Sequence, residues 1–306
     1  MKNRVDNIFN EIIDFENMRK AFYNTQKGSN KFKTKSLRFE SNLTKNLIAL
    51  QKELKSKKYT PSNYNSFYVY EPKKRLIYSP TFRDKIVHHS INNVLKEIYN
   101  NCFINTTYAC IDGRGVYNAL NQLKHYISIS NRDSWVIKLD IKKFFYSIDH
   151  NILKRIIKKK IKCKDTLELL FKIIDSSPIN PGLPLGNLTS QLFANIYMNE
   201  IDQYCKRKLK LKKYIRYMDD IIILVDNKCN AKVLFSNIKQ YINSLNLTLN
   251  KKSHIFPLSQ GINTLGVKIS KDYCLLRKSI VKTMKKLIKN KQYIDEREFQ
   301  QRINSW

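Results

Sequence analysis

Two adjacent acids, Asp219 and Asp220, lie between two short apolar runs that are rich in β-branched and aromatic residues. The pattern predicts a β-hairpin over residues 213–225, with the carboxylates at its tight turn. Neighbouring carboxylates repel each other, and a divalent cation that prefers oxygen ligands, such as Mg²⁺, would relieve that repulsion. An ordinary exposed acidic turn has the same pattern, so the pair alone does not identify a metal site.

A third acid, Asp140, ends a strand-like run that begins at Ser134. If this strand lies beside the hairpin, Asp140 and Asp219 face each other across the sheet and can hold two ions between them. Phosphoryl transfer uses such a pair, in which one ion activates a 3′-hydroxyl and the other stabilises the leaving pyrophosphate. The three acids are therefore the candidate catalytic residues. A fourth acid, Asp149, is expected to cap the helix that begins at Asn151.

The composition limits the class of protein. With 306 residues, the chain can bury a full core in one large or two modest domains. Its 57 basic and 25 acidic residues give a formal charge of +32, which predicts a polyanionic partner such as nucleic acid. The six cysteines form no Cys-x-x-Cys pair, which argues against a zinc site or a disulfide framework. A signal peptide and a membrane span are not expected, so we predict a cytoplasmic protein without membrane contact.

Hydrophobic periodicity and turn residues predict the remaining elements. These are two basic amphipathic helices in residues 1–58, a hairpin with strands at 67–70 and 75–78, a helix from Leu188 to about Leu209, a helix over 231–245, a short strand over 247–249 and a helical tail over 275–306.

The acids lie in sequence blocks that resemble those of reverse transcriptases and occur in the family's order. Tyr217-Met218-Asp219-Asp220 resembles the Tyr-x-Asp-Asp box, and the run that ends at Asp140 resembles the first palm motif. Residues 73–85 and 107–116 resemble two finger blocks, and residues 261–269 resemble the primer grip. The resemblance implies an RNA-directed DNA polymerase that binds two Mg²⁺ ions, with Mn²⁺ as a substitute. The implied metal-binding residues are Asp140, Ile141, Asp219 and Asp220.

The resemblance also implies which residues contact the substrates. The implied nucleotide-binding residues are Lys73, Arg75, Phe145, Leu185, Gly186, Gln191 and Lys252. The implied template or primer contacts are Arg114, Tyr217, Met218, Leu265 and Gly266. In the family, an aromatic ring at the position of Phe145 lies beneath the sugar and excludes a 2′-hydroxyl, which disfavours an RNA-making polymerase. The chain departs from the family at Ile111, where a basic residue is usual.

The block at residues 184–191 separates types within the family. Most reverse transcriptases have Pro-Gln-Gly-x-Pro-x-Ser-Pro, whereas this chain has Leu185, Leu188 and Gln191 in place of the Gln, the middle Pro and the final Pro. This version resembles the reverse transcriptases of diversity-generating retroelements, which copy template adenines with errors and so diversify a target gene. Because leucine cannot hydrogen-bond, the change removes roughly 1 kcal/mol of discrimination, and we expect lower fidelity. A neutral packing variant at Leu185 is the alternative.

The resemblance implies an α+β, right-hand polymerase fold with fingers, a palm of antiparallel sheet backed by helices, and a short helical thumb. The predicted boundaries are an N-terminal helical extension at 1–58, fingers at 59–134 with part of 150–190, a palm at 135–274 and a thumb at 275–306. The implied partners are an RNA template, a DNA or RNA primer and deoxynucleotides. The diversity-generating type implies, in addition, a small basic accessory protein that forms a ring.

Other functions fit part of the pattern. Within the family, the alternatives are the reverse transcriptase of an antiphage defence system, of a retron or of a group II intron, and Gln191 argues against the last two. In another class, a catalytically idle nucleic-acid-binding protein on a polymerase scaffold explains the charge. It does not explain the retention of Asp140, Asp219 and Asp220.

Overall fold

The computed structural model describes residues 4–27, 32–70 and 74–304. These residues form helices and three antiparallel sheets, which confirms the predicted α+β class. The helices are α1 (Phe9–Ile12), α2 (Phe15–Thr25), α3 (Thr34–Glu40), α4 (Leu43–Lys55), α5 (Phe82–Asn100), α6 (Val116–Ser128), α7 (Phe144–Ser147), α8 (His150–Lys160), α9 (Lys164–Asp175), α10 (Leu188–Gln203), α11 (Lys228–Ser244), α12 (Lys278–Lys289) and α13 (Glu296–Asn304). The strands are β1 (Asn65–Val69), β2 (Arg75–Ser79), β3 (Trp135–Asp140), β4 (Tyr214–Tyr217), β5 (Asp220–Val225), β6 (His254–Pro257), β7 (Ile262–Thr264), β8 (Val267–Ile269) and β9 (Cys274–Leu276).

The central sheet has the strand order β4-β5-β3-β6, and all of its pairs are antiparallel. Its two middle strands, β3 and β5, are rich in valine, isoleucine and leucine, the residue types that suit a strand buried on both faces. Their register places Trp135 opposite Val225 and Asp140 opposite Asp220. The predicted hairpin of residues 213–225 is present as β4 and β5.

Each face of the central sheet packs against a different hydrophobic cluster. Ile137 and Leu139 of β3 join the large cluster that includes residues of α5, α8, α9, α10 and α11. Val136 joins a smaller cluster that includes residues of α6, β7 and β8. Since side chains alternate along a strand, Asp140 lies on the same face as Val136, and Asp220 opposite it shares that face.

The other two sheets flank this core. β1 and β2 form the predicted hairpin, with Val69 opposite Arg75 at its outer end. β7, β8 and β9 form a three-stranded sheet. The tail that was predicted to be helical from residue 275 therefore begins inside β9, and the helix α12 starts only at Lys278. An apolar run of three residues is too short for periodicity to distinguish strand from helix.

The N-terminal segment also differs from its prediction. Two helices were expected in residues 1–58, and the described part of that segment contains α1 to α4. Asp14 separates the first two, because its carboxylate accepts hydrogen bonds from the N–H groups of Glu16 and Asn17 and starts α2 as a new helix. Apolar spacing continues across such a cap, so periodicity merges the two helices.

The short strand that was expected over residues 247–249 is reduced to one isolated bridge between Leu249 and Ile141. The long helix predicted from Leu188 is confirmed as α10 and continues as a π-helix, Tyr204–Lys208.

The predicted cap of α8 is confirmed. The Asp149 carboxylate accepts hydrogen bonds from the N–H groups of Asn151 and Ile152, and its second oxygen accepts one from the Asn246 side chain at 2.9 Å. One carboxylate therefore both starts α8 and fastens it to the segment after α11. Helix α8 in turn packs against α10 and α9.

We expect Asp149→Ala to lower the free energy of unfolding by about 1–2 kcal/mol, because it removes the cap and leaves the Asn246 amide without this partner. Urea unfolding followed by circular dichroism measures the difference. The matched control is Asp272→Ala, at an exposed acid in the turn between β8 and β9. Equal stability of the two variants would contradict the proposed role of Asp149.

Candidate active site

The hairpin turn places two acids at one end of the central sheet. Tyr217 of β4 lies opposite Asp220 of β5, which leaves Met218 and Asp219 in the turn. Met218 has φ 55°, a left-handed conformation that is uncommon for a residue other than glycine. Asp219 therefore projects from a strained turn, whereas Asp220 already belongs to a strand.

Asp140 is held at the same end of the sheet from both sides. On one side, Asp220 lies directly opposite it, so Asp219, the acid expected to face it, is one residue further along in the turn. On the other side, the N–H of Asp140 donates to Ser253 Oγ at 3.0 Å, and the N–H of Asn250 donates to the Asp140 carbonyl at 2.7 Å. The backbone of Asp140 is thus fixed by the protein itself.

Ile141 offers a backbone oxygen beside the acids. It pairs with Leu249 in an antiparallel bridge whose flanking hydrogen bonds use the carbonyl of Asp140 and the N–H of Lys142, which donates to the Thr248 carbonyl at 2.8 Å. In a pair of this type, the N–H and carbonyl of Ile141 point away from its partner. Its carbonyl therefore points to the side of β3 on which β5 lies.

The three carboxylates interact electrostatically. Burial raises the pKa of Asp219, the negative charges of Asp220 and Asp140 add to this effect, and the pKa reaches about 6 although the positive charge of Arg216 opposes the rise. A bound cation would relieve this repulsion, because it stabilises the ionised form of each acid.

Two further basic side chains act on the same group of acids. Burial raises the pKa of Asp220 and the charge of Asp140 adds to the rise, whereas Lys138 and Arg277 oppose it. Lys138 precedes Asp140 by two residues on β3 and so lies on the same face of the sheet. Its ammonium group donates to the Asn263 carbonyl at 2.5 Å, and burial lowers its pKa.

The donor set fits a hard divalent cation. Across residues 4–27, 32–70 and 74–304, no three His, Cys, Asp or Glu side chains form a metal cluster by themselves. Mg²⁺ is usually held by one or two carboxylates together with waters and substrate phosphates, so a complete protein cage is not required. Two acids and the carbonyl of Ile141 supply oxygen ligands of the kind that this ion prefers.

A second cluster joins the loop before α10 to the β1–β2 hairpin. The N–H of Tyr78 in β2 donates to the Leu185 carbonyl at 2.9 Å, and the N–H of Leu183 donates to the Phe145 carbonyl at 2.7 Å. A Cβ atom added to Gly186 would lie 2.6 Å from a methyl group of Ile77, so only glycine allows this approach. The structure therefore brings together three of the predicted nucleotide-binding residues: Phe145, Leu185 and Gly186.

The other predicted nucleotide-binding residues are more dispersed. Arg75 is exposed at the start of β2, and Lys73 lies outside the described residues. Lys252 is exposed, in the turn before β6, and its charge acts on Lys138. Gln191 lines a cavity of about 280 Å³, whose wall also includes Arg114.

The predicted template or primer contacts lie in three places. Arg114 donates to the carbonyls of Ile104 at 2.7 Å and Thr107 at 3.2 Å, so its guanidinium also fastens its own loop. Tyr217 and Met218 belong to the acidic hairpin. The turn between β7 and β8 consists of Leu265 and Gly266, both with positive φ, and the Gly266 carbonyl accepts a hydrogen bond from the N–H of Arg277 at 2.9 Å.

Sequence reasoning missed four residues that act on the acids: Lys138, Arg216, Ser253 and Arg277. Lys138 could have been found, because a spacing of two on a strand places it on the face of Asp140. Ser253 lies 113 residues from Asp140 in the sequence, and no local pattern links the two.

Comparison with known proteins agrees with this geometry. Residues 57–269, more than half of the chain, match the family model described as reverse transcriptase (RNA-dependent DNA polymerase). The chain belongs to this family. It carries the domain of an RNA-directed DNA polymerase, and reverse transcriptases act on RNA templates and primers and generally use divalent metal ions, typically Mg²⁺.

Two curated relatives are an intron protein and a retron protein. The group II intron-encoded protein LtrA of Lactococcus lactis subsp. cremoris is 29% identical over 170 residues, which cover 52% of this chain and 28% of LtrA. The retron Ec73 reverse transcriptase of Escherichia coli is 29% identical over 217 residues, which cover 65% of this chain and 66% of that protein. The chain thus spans less than a third of LtrA and about two thirds of the retron enzyme.

A solved structure shows the fold. Apo telomerase from Candida tropicalis superimposes with a TM-score of 0.55 at 13% sequence identity, over 72% of this chain and 49% of that chain. The present chain therefore has the right-hand polymerase fold that was predicted from its sequence.

The helices can also be compared with what a membrane span requires. None of the helices within the described ranges combines the length and the apolar character that crossing a membrane would need.

We expect Asp219→Asn to raise the free energy of unfolding at neutral pH, without divalent cations, by on the order of 1 kcal/mol. The Asp219 carboxyl has a pKa of about 6 when folded against a model value of 3.8, so between these values the folded protein binds more protons than the unfolded chain. Stability therefore falls as pH rises through this window, and the variant escapes that loss.

Denaturant unfolding at a series of pH values from about 7.5 down to about 4 measures the effect. The gain in free energy of unfolding from Asp219→Asn should be largest at pH values above the pKa of Asp219 in the folded protein. It should decrease steadily as the pH falls below that value. Asp226→Asn, at an exposed acid just after β5, is the control and should show no such trend. An advantage that does not change with pH would contradict the raised pKa of Asp219.

Proposed function

We propose that this reverse transcriptase extends a primer 3′-hydroxyl with deoxynucleotides on an RNA template. The observation that carries the proposal is the strand register, which sets Asp140 opposite Asp220 and leaves Asp219 in the adjoining turn, inside a reverse transcriptase domain. A protein that only bound nucleic acid would gain nothing from three mutually repelling acids at one end of a sheet.

In this proposal, each residue of the site has one task. Asp140, Asp219 and the carbonyl of Ile141 hold the divalent cations, and Asp220 supports them. When bound, two such cations would activate the 3′-hydroxyl and stabilise the leaving pyrophosphate. Lys138 balances the charge of Asp220 and keeps the acids together before any cation binds.

The incoming deoxynucleotide would lie between the acids and the β1–β2 hairpin. Arg75, together with Lys73, would contact its triphosphate, and Lys252 would act near the leaving pyrophosphate. Phe145 would lie beneath the sugar and exclude a 2′-hydroxyl. The proposal is supported by the backbone bonds that join Leu183 to Phe145 and Leu185 to Tyr78 of β2.

The nucleic acid would contact both sides of the site. We assign template or primer contacts to Arg114, Tyr217, Met218, Leu265 and Gly266, and a contact near the nucleotide to Gln191. The N-terminal extension is assigned to 1–58, the fingers to 59–134 with part of 150–190, the palm to 135–274 and the thumb to 275–306.

We further propose that the enzyme is of the diversity-generating type, which copies template adenines with errors and works with a small basic ring-forming accessory protein. Leu185 carries this proposal. Its carbonyl accepts a hydrogen bond from the N–H of Tyr78 and its side chain is half-buried, so a residue whose side chain cannot hydrogen-bond occupies the position of the usual glutamine. Without that amide, a poorly paired base meets a weaker penalty.

A second candidate is the faithful copying of a retron or intron RNA. The similarity to the Ec73 and LtrA proteins favours it. The error-prone candidate and the faithful candidate would use the same three acids. The fidelity of the enzyme separates the two candidates.

Primer extension on an RNA template tests the polymerase. The wild type should incorporate deoxynucleotides with Mg²⁺, whereas Asp219→Asn should lose at least about 10²-fold in rate, because one cation ligand and its charge are removed. Asp226→Asn is the control and should match the wild type.

Equal incorporation by wild type and Asp219→Asn would end the enzyme hypothesis. A reaction supplied with ribonucleotides alone should give little product, and efficient extension there would instead indicate an RNA-making polymerase and refute the role of Phe145.

Sequencing of DNA copied from an RNA template of mixed sequence tests fidelity. Wild-type errors should concentrate opposite adenine, and Leu185→Gln should reduce them several-fold, because an amide restores one hydrogen bond worth about 1 kcal/mol. Leu185→Met keeps an apolar side chain of similar size and should keep the errors. Rare, uniform errors in the wild type would favour the retron or intron candidate, and an unchanged spectrum in Leu185→Gln would make Leu185 a neutral packing residue.

A further inference from the structure

A fully buried ion pair lies directly behind the acidic turn. The side chains of Arg216 in β4 and Asp202 in α10 are both 0% exposed, and their closest N–O distance is 2.7 Å. Arg216 comes three residues before Asp219 in the sequence, and its positive charge acts on that acid. Neither member of the pair was among the residues expected to contact metal or substrate.

Asp202 is completely satisfied by its neighbours. One carboxylate oxygen accepts a hydrogen bond from Tyr214 Oη at 2.6 Å, and the other accepts one from Thr107 Oγ1 at 3.0 Å. Arg216 Nε donates to both oxygens at 2.8 and 3.0 Å, and Nη2 donates to the second at 2.7 Å. This bidentate contact fixes the guanidinium in one orientation.

The remaining arm of the guanidinium reaches the turn. Arg216 Nη1 donates to the carbonyl of Met218 at 2.8 Å and to Asn195 Oδ1 at 3.0 Å. Met218 is the residue with φ 55°, and its carbonyl belongs to the peptide bond that leads into Asp219. The ion pair therefore holds the one peptide group that sets the direction in which Asp219 leaves the turn.

The same network reaches the loop that contains Arg114. The N–H of Arg216 donates to the Thr106 carbonyl at 2.9 Å, and the Arg216 carbonyl accepts from the N–H of Tyr108 at 3.1 Å. Asn195 Nδ2 donates to the Ala109 carbonyl at 2.9 Å. The guanidinium of Arg216 thus bonds the acidic turn to α10, and the backbone of Arg216 together with the Asn195 side chain bonds both to this loop.

Stability alone does not explain the pair. Removing two charges from water is costly, and a buried pair that is replaced as a whole by neutral residues often leaves a protein as stable as before or more stable. A strained turn, in contrast, persists only where its surroundings impose it. The contact that neutral residues could not reproduce is the charged hydrogen bond to the Met218 carbonyl.

We propose that Asp202 and Arg216 are positioning residues that fix the Met218 peptide and, through it, the carboxylate of Asp219 in the orientation that binds a divalent cation. Asp202 orients Arg216, and Arg216 orients the turn. Neither residue touches the substrate. The inference rests on the proposed role of Asp219 in the polymerase site.

The test removes both charges together, so that no unpaired charge stays buried. The double variant Asp202→Asn/Arg216→Met keeps an oxygen that can accept from Tyr214 or Thr107 and an unbranched side chain in the place of the arginine. It should melt within roughly 5 °C of the wild type and bind primer–template equally well. Its kcat should fall on the order of 10- to 100-fold, with little change in the KM for primer–template, because a displacement of about 1 Å has such an effect.

A readout independent of catalysis is Mn²⁺ titrated into the full chain and followed by electron paramagnetic resonance. The double variant should bind Mn²⁺ at least several-fold more weakly than the wild type. The single variant Arg216→Lys keeps a charge that can reach the Met218 carbonyl and should recover part of both losses. Arg19→Met/Glu16→Gln, at an exposed ion pair on α2, is the matched control and should change neither quantity.

Wild-type kcat and Mn²⁺ affinity in a folded double variant would overturn the positioning role. If that variant does not fold, Asn195→Ala decides, because it removes the second acceptor of Arg216 Nη1 and the bond to the Ala109 carbonyl but leaves the Asp202–Arg216 ion pair in place. It should lower kcat several-fold, and an unchanged kcat there would also overturn the role. Failure of the proposed function looks different: the wild type itself would not extend primers, whereas its Mn²⁺ binding could still be compared with that of the variants.

Discussion

The repulsion among Asp140, Asp219 and Asp220 is the constraint on which the rest of the structure depends. Burial and mutual charge raise the pKa of Asp219 to about 6, so ionising this acid costs more free energy in the folded chain than in water. The sheet must supply the free energy for this arrangement. It does so through β3 and β5, whose paired residues are buried on both faces and cannot slip by one position without moving an entire apolar set to the wrong face.

The positive charges near the acids follow from the same constraint. The net charge of +32 first indicates a nucleic-acid partner, but Lys138 shows that part of the charge acts locally. This half-buried lysine lies two residues before Asp140 on the same strand and reduces the repulsion, while its ammonium group is fixed on the Asn263 carbonyl. Cations that arrive with the substrate can then complete the neutralisation.

The features that were predicted correctly are those set by residues that are close together in the sequence. The hairpin, the strand that ends in Asp140 and the cap at Asp149 each follow from residues within a few positions of one another, and all three are present. Ser253 and Asp202 were not predicted to hold the acids in place, because they are linked to the acidic strands only by tertiary contacts. Ser253 contacts Asp140 across 113 residues, and a buried arginine within a strand gives no sign of its partner on another element. The secondary structure of short segments such as β9 was predicted wrongly for another reason, since three residues carry no periodicity.

The loop before α10 shows how a single position can change chemistry without changing the fold. Its backbone is fixed at Leu185 by the N–H of Tyr78, and the neighbouring Gly186 is the residue that lets the two segments approach. Neither contact depends on the side chain at position 185, so a glutamine or a leucine there can occupy the same place. The departure at Gln191 lies elsewhere, in the cavity shared with Arg114, and belongs to a different contact. An effect of Leu185 on fidelity would therefore arise from the missing amide itself and not from a displaced loop, because the loop is held by bonds that every residue type makes.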